Sequence, residues 1–586
     1  MTIRIRRALA LASAALLVTL VPAQTASGAQ PSKTIPVQLL AINDLHGNLE
    51  APQGSSGSVT RLNPDGTTTV IPAGGVEYLS TALKQARAGH NSLTVAAGDL
   101  IGASPLLSAA FHDEPTILAA NEMGLAVSSV GNHEFDEGKA ELLRMQFGGC
   151  RAEDGCYDPP RRFPGASFPY LAANVINDDT HLPLLTPVWI KNVGGAKIGF
   201  IGMTLKDTPN IVTASGVAGL TFEDEVQTAN FYARLLKLAG VNAIVTLIHQ
   251  GGQPASAAYN FNCDANGPGS GLSGDIVPIA QQLDPSIDVI VTGHTHTSYV
   301  CDIPDPAGQP RLVTSAASFG RLFTDIEGSY DTRTRDFVRS SLTAHNVVVS
   351  HDYAKDPAMT DLISTYKTLL GPIANRVVGY IGADIPGRGA TTPEEPLGDV
   401  IADSQLEATS AVGSGGAVMA FMNPGGIRSD LTYAQSGGEG DGAVTYSEAF
   451  TVQPFNNLLE TITLTGAQIV TLLQQQFTGA NATAPKVLQV SKGFAYTLDL
   501  TKTGADRIVT SSITLNGAAL DPVASYRVTV NNFLAGGGDG FGILTQGTNP
   551  LVGEVDLDAF VAFLTAHSSA GSPLPQPTAD RITVIS

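Results

Sequence analysis

Basic charge is scarce: Lys and Arg number 33 against 53 Asp and Glu in 586 residues, a formal net charge of -20. A chain this acidic lacks the electrostatic means to hold a nucleic acid polymer, and it carries no polybasic patch for anionic lipid. A small anionic substrate, held locally by metal ions and a few arginines, stays open. Cysteine is also sparse, with four in the chain and none in a CxxC spacing, which excludes a thiolate zinc site. Beyond the first residues no apolar run is long enough to span a bilayer. Charged residues make up only 15% of the chain and hydrophobic ones 43%, which excludes an intrinsically disordered segment and calls for at least two cores at this length.

The N-terminus reads as an export signal: Arg4, Arg6 and Arg7, an apolar run from Ala8 to Val21, then Ala26-Ser27-Gly28-Ala29, with cleavage expected after Ala29. The mature chain is expected to be secreted, without a stable membrane span. An even cysteine count in an exported chain favours disulfides. Local pairing joins Cys150 with Cys156 and Cys263 with Cys301, one of the three connectivities open to four cysteines.

From Val37 to about Ala344 the chain repeats a short apolar run, a Gly-containing turn and a helix-like stretch, an α/β grammar. Five of the runs (Val37 to Ile42, Leu93 to Ala97, Ala126 to Val130, Ala243 to Ile248, Asp288 to Thr292) hand over directly to metal-type ligands. Open α/β sheets place their ligands at that carboxyl edge of the strands. Over Asp356 to Ala374, the apolar residues Met359, Leu362, Ile363, Tyr366 and Leu369 follow helical spacing and predict a helix joining two domains. The expected division is a signal peptide over 1–29, a first domain over 35–350, a linker helix over 351–374 and a second domain over 375–586.

Asp44, His46, Asp99, Asn132, His133, His249, His294 and His296 all fall in those strand-end loops. Carboxylate, amide and imidazole without thiolate suit Mn, Zn, Fe or Co, among which the ligand types alone do not choose, and zinc or manganese is the expected pair of ions. The donors are too many for one tetrahedral ion, and two ions sharing a carboxylate would use them all.

The series Asp44-x-His46, Gly98-Asp99, Gly131-Asn132-His133-Glu134, His249 and Gly293-His294-x-His296 resembles the calcineurin-like metallophosphoesterases. With the second domain included, the chain is similar to the secreted bacterial 5′-nucleotidases. The resemblance implies an α/β metallophosphoesterase sandwich joined to a C-terminal α/β nucleotidase domain, and a metal-dependent phosphoric monoester hydrolase. It implies that Asp44, His46, Asp99 and His296 hold one ion, and Asp99, Asn132, His249 and His294 the other, with Asp99 as the bridge. His133 would work beside the phosphate, oriented by Asp136. Glu134 is expected only to cap the following helix.

By the same resemblance the second domain reads the nucleoside. Phe455 and Phe533 would sandwich the base, Asp539 would accept from ribose hydroxyls, and Arg428 with Asn423 would face phosphate or ribose. Gly426 lies in the first of the two Gly-rich loops, where the backbone comes close to a ligand. Two features depart from the family: Pro424 follows Asn423, and Thr391, Thr392, Glu394 and Glu395 stand where many nucleotidases carry an arginine, leaving Arg388 as the nearest replacement. The expected substrates are nucleoside 5′-monophosphates, with other nucleotides beside them. A 2′,3′-cyclic-nucleotide phosphodiesterase or nucleotide-sugar hydrolase is the alternative, and a non-catalytic nucleotide- or metal-binding secreted protein comes last.

Overall fold

The computed structural model describes residues 33–586 apart from 153–154, 159–160, 214 and 389, so the expected signal peptide lies outside the described residues. Two mixed sheets, each with a parallel centre, face each other in the first domain. The first sheet sets Thr34–Ile42 between Leu322–Asp331 and Ser92–Ala97, continuing to Leu125–Ser129 and Tyr170–Leu171. The second runs Ser298–Asp302, Leu312–Ala316, Ile287–Thr292, Ala243–His249, Ala196–Thr204, Val188–Val193.

Strands covered on both faces read as unbroken apolar runs, and period 2 then sorts their side chains between two cores. Along the first strand Leu39 and Ala41 point between the sheets, where Val95, Val127, Phe200, Val245 and Val291 meet them. Leu40 and Ile42 point outward, under the helix Val76–Ala86. The second sheet packs its outer face on Glu225–Leu238 and Ile276–Gln282 in the same way. The result is a helix, sheet, sheet, helix sandwich in which both sheets end their parallel strands at one edge.

The helix expected to join the domains spans Pro357–Ala374, starting later than 351 because Asp356 caps it, accepting from the Ala358 N–H at 3.1 Å. It is not a free connector. Met359, Ile363 and Tyr366 are buried in the outer core of the first domain, and Asp356 is tied to that domain by Ser80 and Lys84, each at 2.5 Å.

The second domain holds a five-stranded sheet in the order Gln489–Val490, Met419–Met422, Ser525–Asn531, Leu458–Thr465, Thr548–Val555, and a four-stranded sheet that includes Phe494–Asp499 and Ile582–Ile585. It has two cores of its own, one around Phe421, Phe494 and Tyr496 and one around Leu397, Ile427 and Phe560. Disulfides join Cys150 to Cys156 and Cys263 to Cys301. Among the described residues no helix is long and apolar enough to cross a membrane.

Candidate active site

Strands of both sheets deliver the candidate ligands. Asp44 and His46 follow Thr34–Ile42, Asp99 follows Ser92–Ala97 and Asn132 follows Leu125–Ser129, all on the first sheet; His249 ends Ala243–His249, and His294 and His296 follow Ile287–Thr292 on the second. The chain must turn sharply at each strand end to aim these side chains at a common point. Asp44, His46, Asp99, His294 and His296 accordingly hold left-handed backbone, with φ between 46 and 74°. That conformation costs about 1 to 3 kcal/mol at a non-glycine residue and persists only where the surroundings impose it.

The loops touch closely. His294 N–H donates to both oxygens of Asp44, at 3.0 and 3.1 Å, across the gap between the sheets. Gly131 leaves no room for a side chain, since a Cβ there would lie 2.1 Å from Asp99 Oδ1.

Asp44, His46 and His296 form one group of converging donors and Asp99, His249 and His294 a second. Asn132 Oδ1 lies 3.1 Å from His294 Nδ1, beside the second group. Asp99 Oδ2 lies 2.9 Å from His249 Nε2 and 3.6 Å from His46 Nε2, so it faces both groups.

The tautomers are set by the backbone. His46 Nδ1 donates to Gly102 O at 2.8 Å and His249 Nδ1 to Ala97 O at 2.8 Å, which turns Nε2 of each ring inward. His249 Nε2 is buried without a hydrogen bond although Asp99 is beside it. His46 Nε2 and His296 Nε2 meet at 3.0 Å, close enough to share one ion or a single proton. This donor set fits two divalent ions.

Charge in the cluster points the same way. Burial opposes ionisation of Asp44 and Asp99, yet the neighbouring histidines hold both carboxyls well below the usual range. Burial favours neutral His249, and the charges of Asp99 and Asp44 overcome it, pushing the ring up to about 9. Burial and the charge of His249 push His294 down to about 4. The cage attracts positive charge at its centre.

His133 stands at the side of the cluster, its Nδ1 2.6 Å from Asp136 Oδ2. Burial works against its cation, and the charges of Asp136 and Asp99 outweigh it, raising the ring to about 10. Gly102 packs against this pair so tightly that a Cβ would lie 2.5 Å from His133 Cβ and 2.9 Å from Asp136 Oδ2. The same glycine accepts from His46 and donates its N–H to buried Asp113 at 3.0 Å.

Glu134 does not cap the following helix, whose N-cap position is Gly138. Its buried carboxylate accepts from the N–H groups of Asp99 and Leu100, each at 2.9 Å, and of Gly131 at 2.5 Å, clamping two ligand loops together. Phe319 is another residue the sequence does not announce. Its backbone is left-handed at φ 61°, its N–H donates to Asp44 O at 2.7 Å, and its ring packs edge-on against His46 and His296.

In the second domain Asn423, Gly425, Gly426, Arg428, Phe455, Asn457, Phe533 and Asp539 line one cavity of about 300 Å³. Pro424 forces the residue before it into extended backbone, and Asn423 has φ -80° and ψ 141°. Asn423 Nδ2 then donates to Asp539 Oδ2 at 2.8 Å. Arg428 lies over the Phe455 ring, 5.6 Å from its centroid. Arg388 is exposed and does not line the cavity, although its charge is felt by Arg428. The domains touch beside the cavity: Asn456, next to Phe455, donates to Ser104 O at 2.8 Å, two residues from Gly102.

A two-sheet sandwich with its parallel strands ending in an Asp, His and Asn cage defines a metallophosphoesterase. The calcineurin-like phosphoesterase family matches residues 37–298, and the 5′-nucleotidase C-terminal domain matches residues 373–546. The chain is 33% identical over 562 residues to the cell wall protein Lmo0130 of Listeria monocytogenes, covering 92% of this chain and 68% of that one. It is 31% identical to the endonuclease YhcR of Bacillus subtilis, covering 91% of this chain but only 40% of YhcR. The crystal structure of a 5′-nucleotidase precursor from Thermus thermophilus superposes with a TM-score of 0.55 at 25% identity, covering 94% of this chain and 99% of that one. The chain belongs to the 5′-nucleotidase family of metal-dependent phosphoric monoester hydrolases.

Proposed function

We propose that this protein is an exported phosphohydrolase that releases inorganic phosphate from nucleoside 5′-monophosphates. The observation that carries the reading is the contact of Asn456 with Ser104 O, which sets the aromatic-walled cavity of one domain against the ligand loops of the other. Asp44, His46, Asp99, Asn132, His249, His294 and His296 would hold two divalent ions, with Asp99 between them. When bound, such ions supply Lewis acidity and neutralise charge developing at phosphorus. Phe455 and Phe533 stack on the base with little discrimination among bases, and Asp539 accepts from the sugar. His133, held as a cation by Asp136, donates its Nε2 proton to the departing 5′-oxygen.

Export is supported by residues 1–29, by the two disulfides and by the cell-wall naming of the Lmo0130 relative. A second reading, hydrolysis of 2′,3′-cyclic nucleotides or nucleotide sugars, is favoured by Arg388 standing outside the cavity, which removes one arginine from the phosphate side.

The test is phosphate release by the purified protein, supplied with manganese or zinc, from AMP beside 4-nitrophenyl phosphate. A much higher kcat/KM on AMP is expected. Equal or lower efficiency would overturn nucleoside recognition and turn attention to the cyclic and sugar-linked substrates.

A further inference from the structure

Asp539 lines the cavity with left-handed backbone, φ 57°, and three contacts hold it in place. Asn481 Nδ2 donates to its main-chain oxygen at 2.8 Å. Asn423 Nδ2 donates to Oδ2 at 2.8 Å, and Asn423 is itself fixed by Asn531 Nδ2, 3.0 Å from its Oδ1. The third contact is the ammonium of Lys486, paired with Oδ1.

Lys486 does not line the cavity and reaches it only through this carboxylate. Its backbone is anchored: Lys486 N–H donates to Gln476 O at 3.2 Å, and Gln476 Oε1 accepts from Leu488 N–H at 2.6 Å. A carboxylate held at one oxygen can swing about its last bond, whereas one held at both is fixed in plane. Each Asp539 oxygen gives one lone pair to the protein and keeps another. Two such oxygens match two vicinal hydroxyls, and a 2′-deoxy sugar satisfies only one of them.

We propose that Lys486 is a positioning residue that sets the preference of the cavity for ribose over 2′-deoxyribose. This rests on the reading of the cavity as a nucleoside site. Charge-assisted hydrogen bonds are the strong ones, so losing the planar hold on Asp539 falls on ribose binding. The phosphate chemistry in the other domain is untouched.

The experiment compares wild type, Lys486→Met and Lys486→Arg on AMP, 2′-deoxy-AMP and 4-nitrophenyl phosphate. Wild type is expected to show a KM for AMP about tenfold or more below that for 2′-deoxy-AMP. Lys486→Met raises the AMP KM about tenfold, leaves the 2′-deoxy-AMP KM within about twofold, and spares kcat. Lys486→Arg keeps the ribose preference. An unchanged rate on 4-nitrophenyl phosphate shows that the variant is folded, and Lys486→Gln replaces the Met variant if that rate falls.

An unaltered ratio of the two KM values in the Met or Gln variant overturns the proposal. So does an equal rise in both, which would make Lys486 a mere support of the cavity. A wild-type protein that prefers AMP to 4-nitrophenyl phosphate yet treats the two nucleotides alike sinks this inference and leaves the nucleotide reading standing. No preference for AMP over 4-nitrophenyl phosphate sinks both.

Discussion

The two halves of the site are built on opposite principles. In the first domain Asp44, His46, Asp99 and His249 are almost fully buried and held by short contacts. In the second, Phe455 and Phe533 remain 46% and 49% exposed, and their cavity is walled by these two rings, two glycines and four polar side chains. Chemistry at phosphorus needs donors fixed to within tenths of an ångström, because electrostatic stabilisation is effective only when preorganised. Stacking on a base needs an open slot and tolerates small displacements. The rigid half and the forgiving half can therefore be separated by experiment.

The deepest break is metal removal. Chelation is expected to abolish hydrolysis of AMP and 4-nitrophenyl phosphate alike, with manganese or zinc restoring both, while adenosine still binds the second domain by calorimetry. Loss of adenosine binding on chelation would mean that the halves are not separable.

Next in size is His133→Asn. A lost general acid lowers kcat on AMP by about 10² to 10⁴-fold, measured by phosphate release. The effect should be smaller on 4-nitrophenyl phosphate, whose leaving group needs little protonation. An equal effect on both substrates would remove His133 from the role of proton donor.

Phe455→Ala and Phe533→Ala sharpen the contrast from the other side. Each is expected to raise the AMP KM by roughly 5- to 150-fold, the equivalent of about 1 to 3 kcal/mol of stacking, with the 4-nitrophenyl phosphate rate unchanged.

The smallest effect concerns stability in the second domain. Burial, aided by Glu394 and opposed by Arg581, pushes buried Asp399 up to about 9, whereas an unfolded aspartate titrates near about 3.9. The folded chain thus keeps a proton that the unfolded chain releases, and stability falls as pH rises between those values. Asp399→Asn removes that dependence, with an expected Tm gain of about 2 to 4 °C at pH 8 and little at pH 4. A pH-independent difference in Tm between the two proteins would contradict this.

The contrast also explains what the sequence disclosed. Asp44, Asp99 and His249 were legible because each ends a recognisable apolar run, so strand position alone brings them to one edge. The capping expectation for Glu134 fails because its three amide partners sit 35, 34 and three residues upstream of it. Phe319 and Lys486 carry no motif. Their places come from packing between distant segments, 275 residues apart for Phe319 and Asp44 and 53 for Lys486 and Asp539. Arg388 shows the opposite failure, since nearness in sequence to a family position did not bring it to the cavity wall.

The span of the cage along the chain has a consequence for how the protein matures. Asp44 and the His294 amide that binds it are 250 residues apart, and the two groups draw on both sheets. No fragment of the first domain contains a whole site, so strand pairing and sheet docking must finish before either ion finds its donors. Metal uptake is then a late event in folding, and the metal content of a preparation counts the molecules that have completed it.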